Sequence, residues 1–226
     1  MDRLFRLCAA AALSLLVVVA VPGCEGLGAS DGNEPDQMHG NATAPSADST
    51  PAVTLPEGVN MLHVSPVVVT GTEKAVMVTS KGTITLEFYP QDAPNTVASF
   101  IELAESGFYN GLKFHRVIAG FVAQGGDPLT RTMSADDVRA GVGGVGTGDP
   151  GWKQKAEFNS RKHETGTLAM ARAQAYDSAG SQFYICLAPQ PNLDGQYTVF
   201  GQVVDGMDVV LSIEVGDVIE SVTITR

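Results

Sequence analysis

The 226-residue sequence predicts a mostly β domain, a closed barrel with helices covering its ends, preceded by a long polar arm. Two observations carry that class. From about Ala75 onward the chain falls into many short strand-like runs, and only two segments carry a helical period. Ahead of them, composition shifts sharply near Pro66, separating an arm that cannot build a core from a segment that can.

The chain opens on "MDRLFRLCAAAALSLLVVVAVPGC", which reads as an export signal. Arg3 and Arg6 give a basic start, and Leu7 to Val21 is an apolar run of 15 residues. A bilayer-spanning helix needs roughly 20. The run ends in Pro22, Gly23 and Cys24, which resembles a bacterial lipobox, where the cysteine becomes the lipidated first residue of the mature protein. Residues 1–23 are therefore read as signal peptide. Ordinary signal cleavage and an uncleaved anchor are the alternatives. Residues 24–66 are read as lipidated Cys24 followed by a disordered tether, rich in Gly, Ser, Ala, Pro, Asn and Asp. From Glu25 to Pro66 there are six acids and no Lys or Arg. The expected location is extracytoplasmic, tethered to a bacterial membrane, on the periplasmic side. His39 and His63, in or beside the tether, have no ligand partners at metal spacing and are read as solvated.

Cys8 lies in the signal and Cys24 takes the lipid, so Cys186 in "FYICLA" has no partner for an internal disulfide and is read as a small buried hydrophobe. Residues 67–226 suit one domain. Its 12 Lys and Arg against 18 Asp and Glu leave a formal charge of −6, without a basic stripe, which argues against nucleic acid as a partner. No exposed apolar pattern demands an oligomer, and a monomer is expected.

Within the domain, "AVMVTSKGTITLEFYP" alternates on both sides of Ser80-Lys81-Gly82, a hairpin signal. In "APNTVASFIELAESGFY", Val97, Phe100, Ile101 and Ala104 recur at helical spacing, with Asn95 or Thr96 as cap and Gly107 as stop. "LKFHRVI" and "FVAQGG" are short strands joined at Ala119-Gly120. Asp127 to Lys155 reads as a glycine-dense irregular segment. "GTLAMAR", "SQFYICLA" and "YTVFGQVV" are further strands, "MDVVLSIE" a second helix and "SVTITR" a last strand.

Several motifs suggest chemistry and fail on context. "GVGGVG", Gly141 to Gly146, matches a dinucleotide fingerprint by letters, but no strand precedes it and Pro150-Gly151 breaks any helix after it. Ser181 lacks a nucleophile elbow and a base, and reads as a structural hydroxyl. Asp127, Asp136 and Asp137 lack the alternation of an ion-binding loop and read as solvated, so no metal is expected. His115 neighbours Arg116, and adjacent strand residues point to opposite faces, so a structural hydrogen bond is its expected role. His163 in "NSRKHETG" reads as a surface or loop-anchoring residue.

What is left is "FHRVIAGFVAQGGD", Phe114 to Asp127, where Arg116 and Gln124 sit among apolar side chains that do not suit unpaired polar groups. This stretch resembles the F-H-R-V-I-x-x-F-x-x-Q-G-G-D signature of the cyclophilin family of peptidyl-prolyl isomerases. The similarity continues through "EFNSRKHETGTLAMARA", "SAGSQFYI" and "LDGQYTVFGQVVDGMDVV", covering Ala75 to Arg226, and "MARAQAYDSAGSQF" has the spacing of bacterial members. The resemblance implies an eight-stranded antiparallel barrel capped by two helices, which agrees with the strand reading above.

Carried over by position, it implies Arg116 as catalytic cation and Gln124 as its polar companion, placed to bind backbone and to hold the guanidinium. Phe121, Val122, Phe183 and Leu193 would line a proline pocket, with Tyr184 at its wall. Ala171 and Arg172 would offer backbone to an extended substrate, and Gln182 and Tyr197 complete the substrate-binding set. Two departures stand out. Val122 replaces a usual methionine, and Asn192 stands where relatives carry tryptophan or phenylalanine, which puts cyclosporin affinity and pocket closure in doubt.

The implied function is acceleration of X-Pro bond rotation in exported proteins, assisting their folding, with no cofactor. The partners are proline-containing polypeptides, with membrane attachment through the lipid. A proline-peptide-binding module or holdase with little turnover is the alternative, and a scaffolding lipoprotein the second.

Overall fold

The hairpin predicted around Ser80-Lys81 pairs β1 (Lys74–Thr79) with β2 (Gly82–Phe88) in the register Lys74↔Glu87 to Thr79↔Gly82. It belongs to a computed structural model that describes residues 62–226. The signal, Cys24, His39 and nearly all of the tether lie outside the described residues. The tether's last residues do not. The His63 N–H donates to Lys153 O at 2.7 Å, and the His63 ring stacks on Trp152 at 3.9 Å. His63 Nε2 lies 2.9 Å from Glu102, and Asn95 bridges the carbonyl of His63 and the N–H of Ser65. His63 is thus not solvated, because an indole face and a carboxylate hold it against the domain.

The helix α1 (Pro94–Glu105) follows β2. Its cap differs from expectation. Ala93 holds the cap position without a side-chain bond, Pro94 starts the helix, and the N–H groups of Asn95 and Thr96 donate to the carboxylate of Glu157 at 3.0 and 2.8 Å. A distant anion thus meets the helix's unsatisfied N–H groups and its positive end. Gly107, with φ of +72°, follows the last turn as predicted.

Seven further strands complete the sheet: β3 (Leu112–Lys113), β4 (Arg116–Val117), β5 (Val122–Gly125), β6 (Thr167–Met170), β7 (Phe183–Cys186), β8 (Val199–Asp205) and β9 (Val218–Thr225). All pairs are antiparallel, in the order β3-β9-β1-β2-β8-β6-β7-β5-β4. The mostly β class is as predicted, and the count is corrected from eight to nine. The two edge segments, β3 and β4, are consecutive in the chain, and no ladder joins them. Between them the strand changes partner. Phe114 exchanges backbone bonds with Gly216 and Asp217 on the β9 side, whereas His115 N–H donates to Gln124 O on the β5 side. The expected closed barrel is therefore corrected to a curled sheet left open between β3 and β4, whose edges are joined only by the running chain.

Two more helices are short. The predicted second helix is α3 (Met207–Ser212), whereas α2 (Ala135–Ala140) lies in the segment read as irregular. Its capping box was legible: the Asp137 N–H donates to Ser134 Oγ at 3.1 Å and Gly141 ends the helix at φ of +66°. Asp127 in the same segment is fully buried, accepting from the N–H groups of Leu129 and Gly146, so it pins this loop and is not solvated.

The sheet buries both faces. Inward, Phe100, Tyr109, Phe114, Phe183 and Phe200 pack with Ile84, Leu86 and Leu168 into the main core. Outward, Val122, Ala169, Tyr184, Cys186 and Val199 form a second, smaller cluster against Phe121, Leu193 and Tyr197. Cys186 is buried and free, as read from the sequence, and burial pushes its thiol up to about 12. Ser181 Oγ donates to Gly126 O at 2.7 Å, a structural hydroxyl as expected. Gly126 itself is required: its φ is +87°, and a Cβ there would sit 2.3 Å from Ser181 O.

Candidate active site

The outer cluster is organised by register. Arg116 pairs with Gln124 across β4–β5, Gln124 with Tyr184 across β5–β7, and Tyr184 with Ala169 across β7–β6. Residues directly opposite in antiparallel strands project to the same face. The four therefore form one row on the outside of the sheet, with the cation at the edge strand and the aromatic ring toward the middle.

A hollow of about 250 Å³ opens on this row. Phe121, Val122, Leu193, Tyr184 and Tyr197 give it apolar walls, and Arg116, Gln124, Ala171 and Arg172 stand at its polar border. The Arg116 guanidinium lies 5.3 Å from the centroid of the Phe121 ring. None of the ion pairs among the described residues involves Arg116 or Arg172. A second hollow of about 290 Å³ shares Gln124, Ala171 and Arg172 with the first, and is otherwise lined from the 146–153 loop and Ser178 to Gln182.

Nine of the eleven predicted catalytic and substrate-binding residues line the first hollow, and two do not. Phe183 is fully buried in the inner core, edge-on to Phe100 and Tyr109 at 5.7 and 5.6 Å. Strand alternation forbids it from sharing the face of Tyr184, so Tyr184 is the pocket residue. Gln182 lines only the second hollow, where its Nε2 donates to Gly146 O and Gly148 O.

Gln124 also departs from expectation. Its Nε2 donates to Gln182 Oε1 at 3.0 Å instead of holding Arg116, and its Oε1 has no protein partner among the described residues. The Ala171 N–H already donates to Gln182 O, which leaves the Ala171 carbonyl and the Arg172 N–H for a ligand. Asn192 is exposed and is not part of the lining, its carbonyl accepting from Gln196 Nε2. His115 is separated from Arg116 as expected, but neither of its ring nitrogens finds a hydrogen-bond partner among the described residues, and burial pushes its pKa down.

Two functional features went beyond the sequence reading. His163 anchors a loop, as one of its two expected roles had it, but is no surface residue: it is 1 % exposed, with Nδ1 3.1 Å from Asp194 Oδ1 and Nε2 3.0 Å from the Tyr184 hydroxyl. Asp194 also accepts the His163 N–H and pairs with Lys162, and these donors hold its carboxyl down at about 2 despite some burial. With Asp194 ionised, Nδ1 carries the imidazole proton, and Nε2 accepts from Tyr184. The pocket wall is thus clamped from behind. Nothing local in "NSRKHETG" signals this, since its partners lie 21 and 31 residues away.

The second feature is the side chain of Arg172, of which only the backbone was expected to matter. Its Nε donates to Gln196 O, and Nη1 to Ala173 O and Gln174 O. The guanidinium sits 4.7 Å from the Tyr197 ring centroid, 5.0 Å from Tyr176 and 5.8 Å from Phe158.

Comparison with known proteins gives one consistent answer. Residues 74–226 match the family model described as cyclophilin type peptidyl-prolyl cis-trans isomerase/CLD. A peptidyl-prolyl cis-trans isomerase of Synechococcus elongatus is 49% identical over 153 residues, spanning 67% of this chain and 95% of that one. Peptidyl-prolyl cis-trans isomerase B of Bacillus subtilis is 46% identical over 143 residues, spanning 62% of this chain and 90% of that one. Among solved structures, a cyclophilin type peptidyl-prolyl cis-trans isomerase of Cryptosporidium parvum superposes with a TM-score of 0.59 at 26% identity, covering 68% of this chain and 98% of the other. The same protein crystallised in the presence of the dipeptide Ala-Pro gives 0.58 at 25% identity, covering 68% and 99%.

Proposed function

The chain belongs to the cyclophilin family of peptidyl-prolyl cis-trans isomerases, and from that premise we propose that it turns X-Pro bonds by holding the proline in the first hollow beneath the guanidinium of Arg116. The observation that carries this reading is a cation without an ion-pair partner among the described residues, at the rim of an apolar cup and on the same row of the sheet as Gln124 and Tyr184.

Rotation about a peptide bond faces a barrier of ~18–20 kcal/mol, because resonance gives the C–N bond double-bond character. Both isomers of an X-Pro bond are populated, and unaided exchange takes roughly 10–100 s. The task needs no nucleophile. As the amide twists, the proline nitrogen regains its lone pair and becomes an acceptor. A fixed guanidinium donates to it, or to the adjacent carbonyl, more strongly at the top of the barrier than in either planar state, which is the condition for catalysis. Phe121, Val122, Leu193, Tyr184 and Tyr197 grip the ring and keep water away, strengthening the cation's field. Gln124 Oε1, the Ala171 carbonyl and the Arg172 N–H remain to bind backbone on either side. Each tenfold gain in rate requires only ~1.4 kcal/mol.

The clients are loop or unfolded X-Pro segments of exported proteins, whose folding the enzyme assists. The supports for this are the basic start, the apolar run and the Gly23-Cys24 junction, which would leave the domain on a lipid anchor outside the cytoplasm. The mechanism is tested by NMR exchange on an Ala-Pro peptide: Arg116→Ala should lose about 10²–10³-fold in kcat/KM, the range for removing one preorganised donor. Unchanged turnover in that variant would remove Arg116 from the mechanism. Labelling with a radioactive fatty acid, lost in Cys24→Ala, tests the anchor.

A further inference from the structure

We infer that Arg172 makes the groove favour polypeptides carrying a carboxylate side chain within two residues of the proline. This rests on the isomerase reading and adds the class of sequence on which the site acts best.

Arg172 lines both hollows and therefore forms part of the saddle between them. A chain whose proline fills the first hollow, and whose neighbouring residues enter the second, passes over it. The guanidinium there is fixed. Three carbonyls accept from Nε and Nη1, and the rings of Tyr197 and Tyr176 lie within 5.0 Å of it. None of those partners carries a formal charge, so the cation is positioned without being neutralised. Nη2 has no protein acceptor among the described residues, and its two N–H groups suit a carboxylate.

Six of the domain's twelve bases are held by carboxylates: Lys81 pairs with Glu214, Arg139 with Asp136, Lys153 with Asp149, Arg161 with Asp92, Lys162 with Asp194 and Arg226 with Glu105. Acids outnumber bases in the domain, yet Arg116 and Arg172, the two guanidiniums on the groove, have no carboxylate within pairing distance among the described residues. Asp149, the acid bordering the second hollow, is engaged with Lys153 at 2.7 Å. The groove is thus a positively polarised strip on an acidic protein, a geometry that favours substrates of the opposite sign.

The test measures kcat/KM of the full chain by NMR exchange on two peptide sets, acetyl-Xaa-Ala-Pro-Ala-amide and acetyl-Ala-Pro-Ala-Xaa-amide, with Xaa as Glu, Gln or Lys. At low salt the Glu peptide should exceed the Lys peptide by about five- to tenfold in at least one set, with Gln between, as expected for partly exposed charges a few ångströms apart. Added salt at about 0.5 M should shrink the ratio, and Arg172→Gln should bring it to about twofold or less. Arg172 also anchors the 173–178 turn, and a purely structural role there would move all six peptides together. Equal turnover of Glu and Lys peptides in both sets, or a ratio that survives Arg172→Gln, overturns the inference. The salt series on the unmodified chain holds even if the variant folds poorly. No acceleration of any peptide would be a different result, overturning the isomerase reading beneath it.

Discussion

Phe183 and Tyr184 are adjacent in the chain and live in different environments. Phe183 points into the inner core, fully buried and edge-on to three other aromatic rings. Tyr184 points outward, with its ring on the first hollow and its hydroxyl held by His163. The same alternation separates Ala123 from Gln124 and Val117 from Arg116. One face of the sheet is a core that holds the fold together. The other is a second packed layer that ends in a cup instead of closing. The inner face supplies rigidity, and the outer face spends it on placing one cation, one amide and one ring in register.

That division can be broken from either side. Phe183→Ala should cost about 3–5 kcal/mol of stability in denaturant unfolding, the usual range for a truncated core aromatic, while kcat/KM of the molecules still folded changes much less. Arg116→Ala should do the reverse, losing about 10²–10³-fold in turnover with stability within about 0.5 kcal/mol of the parent. If both variants moved both quantities alike, the two faces would not be separable. Tyr184→Phe tests the clamp between them. Losing one buried hydrogen bond should cost about 1 kcal/mol, with a rise in KM and little change in kcat, since the ring is left in place but less well held.

The smallest effect comes from acid. Asp194 is held at about 2, below the ordinary carboxylate value of roughly 3.9, so its stabilisation is complete above the unfolded pKa and is lost as pH falls through about 4 toward 2. Glu73, which lines neither hollow, is also lowered to about 2: burial opposes this, and the N–H and hydroxyl of Thr70 and the N–H of Gly71 prevail. In acid titration of stability, Asp194→Asn should remove only the share belonging to the site, leaving the Glu73 share intact.

Much of this was legible from residues alone. The hairpin, α1, α3 and the strand runs followed from period and turn chemistry; Arg116 and Gln124 lay inside one recognisable signature, and Tyr184 in a second stretch of the same resemblance. Phe183 was misplaced because similarity by position was allowed to override alternation, which would have placed two consecutive strand residues on opposite faces. The cap on α1 was missed because the carboxylate that serves it, Glu157, is 61 or more residues away. The His163–Asp194 clamp was missed for the same reason, and around Arg172 only part of the setting is local: Ala173, Gln174 and Tyr176 are within four residues, whereas Phe158, Gln196 and Tyr197 are 14 or more away.

The break between β3 and β4 falls directly beside the candidate site. Arg116 begins a two-residue strand laddered on one side only, immediately after the point where the chain changes partners. Tyr184 sits on a strand flanked on both sides. The backbone of Tyr184 is therefore laddered on both sides and that of Arg116 on one. In the proposed mechanism, the ring that would grip the proline and the cation that would meet its nitrogen thus rest on backbone held to different degrees, one in mid-sheet and one at an edge.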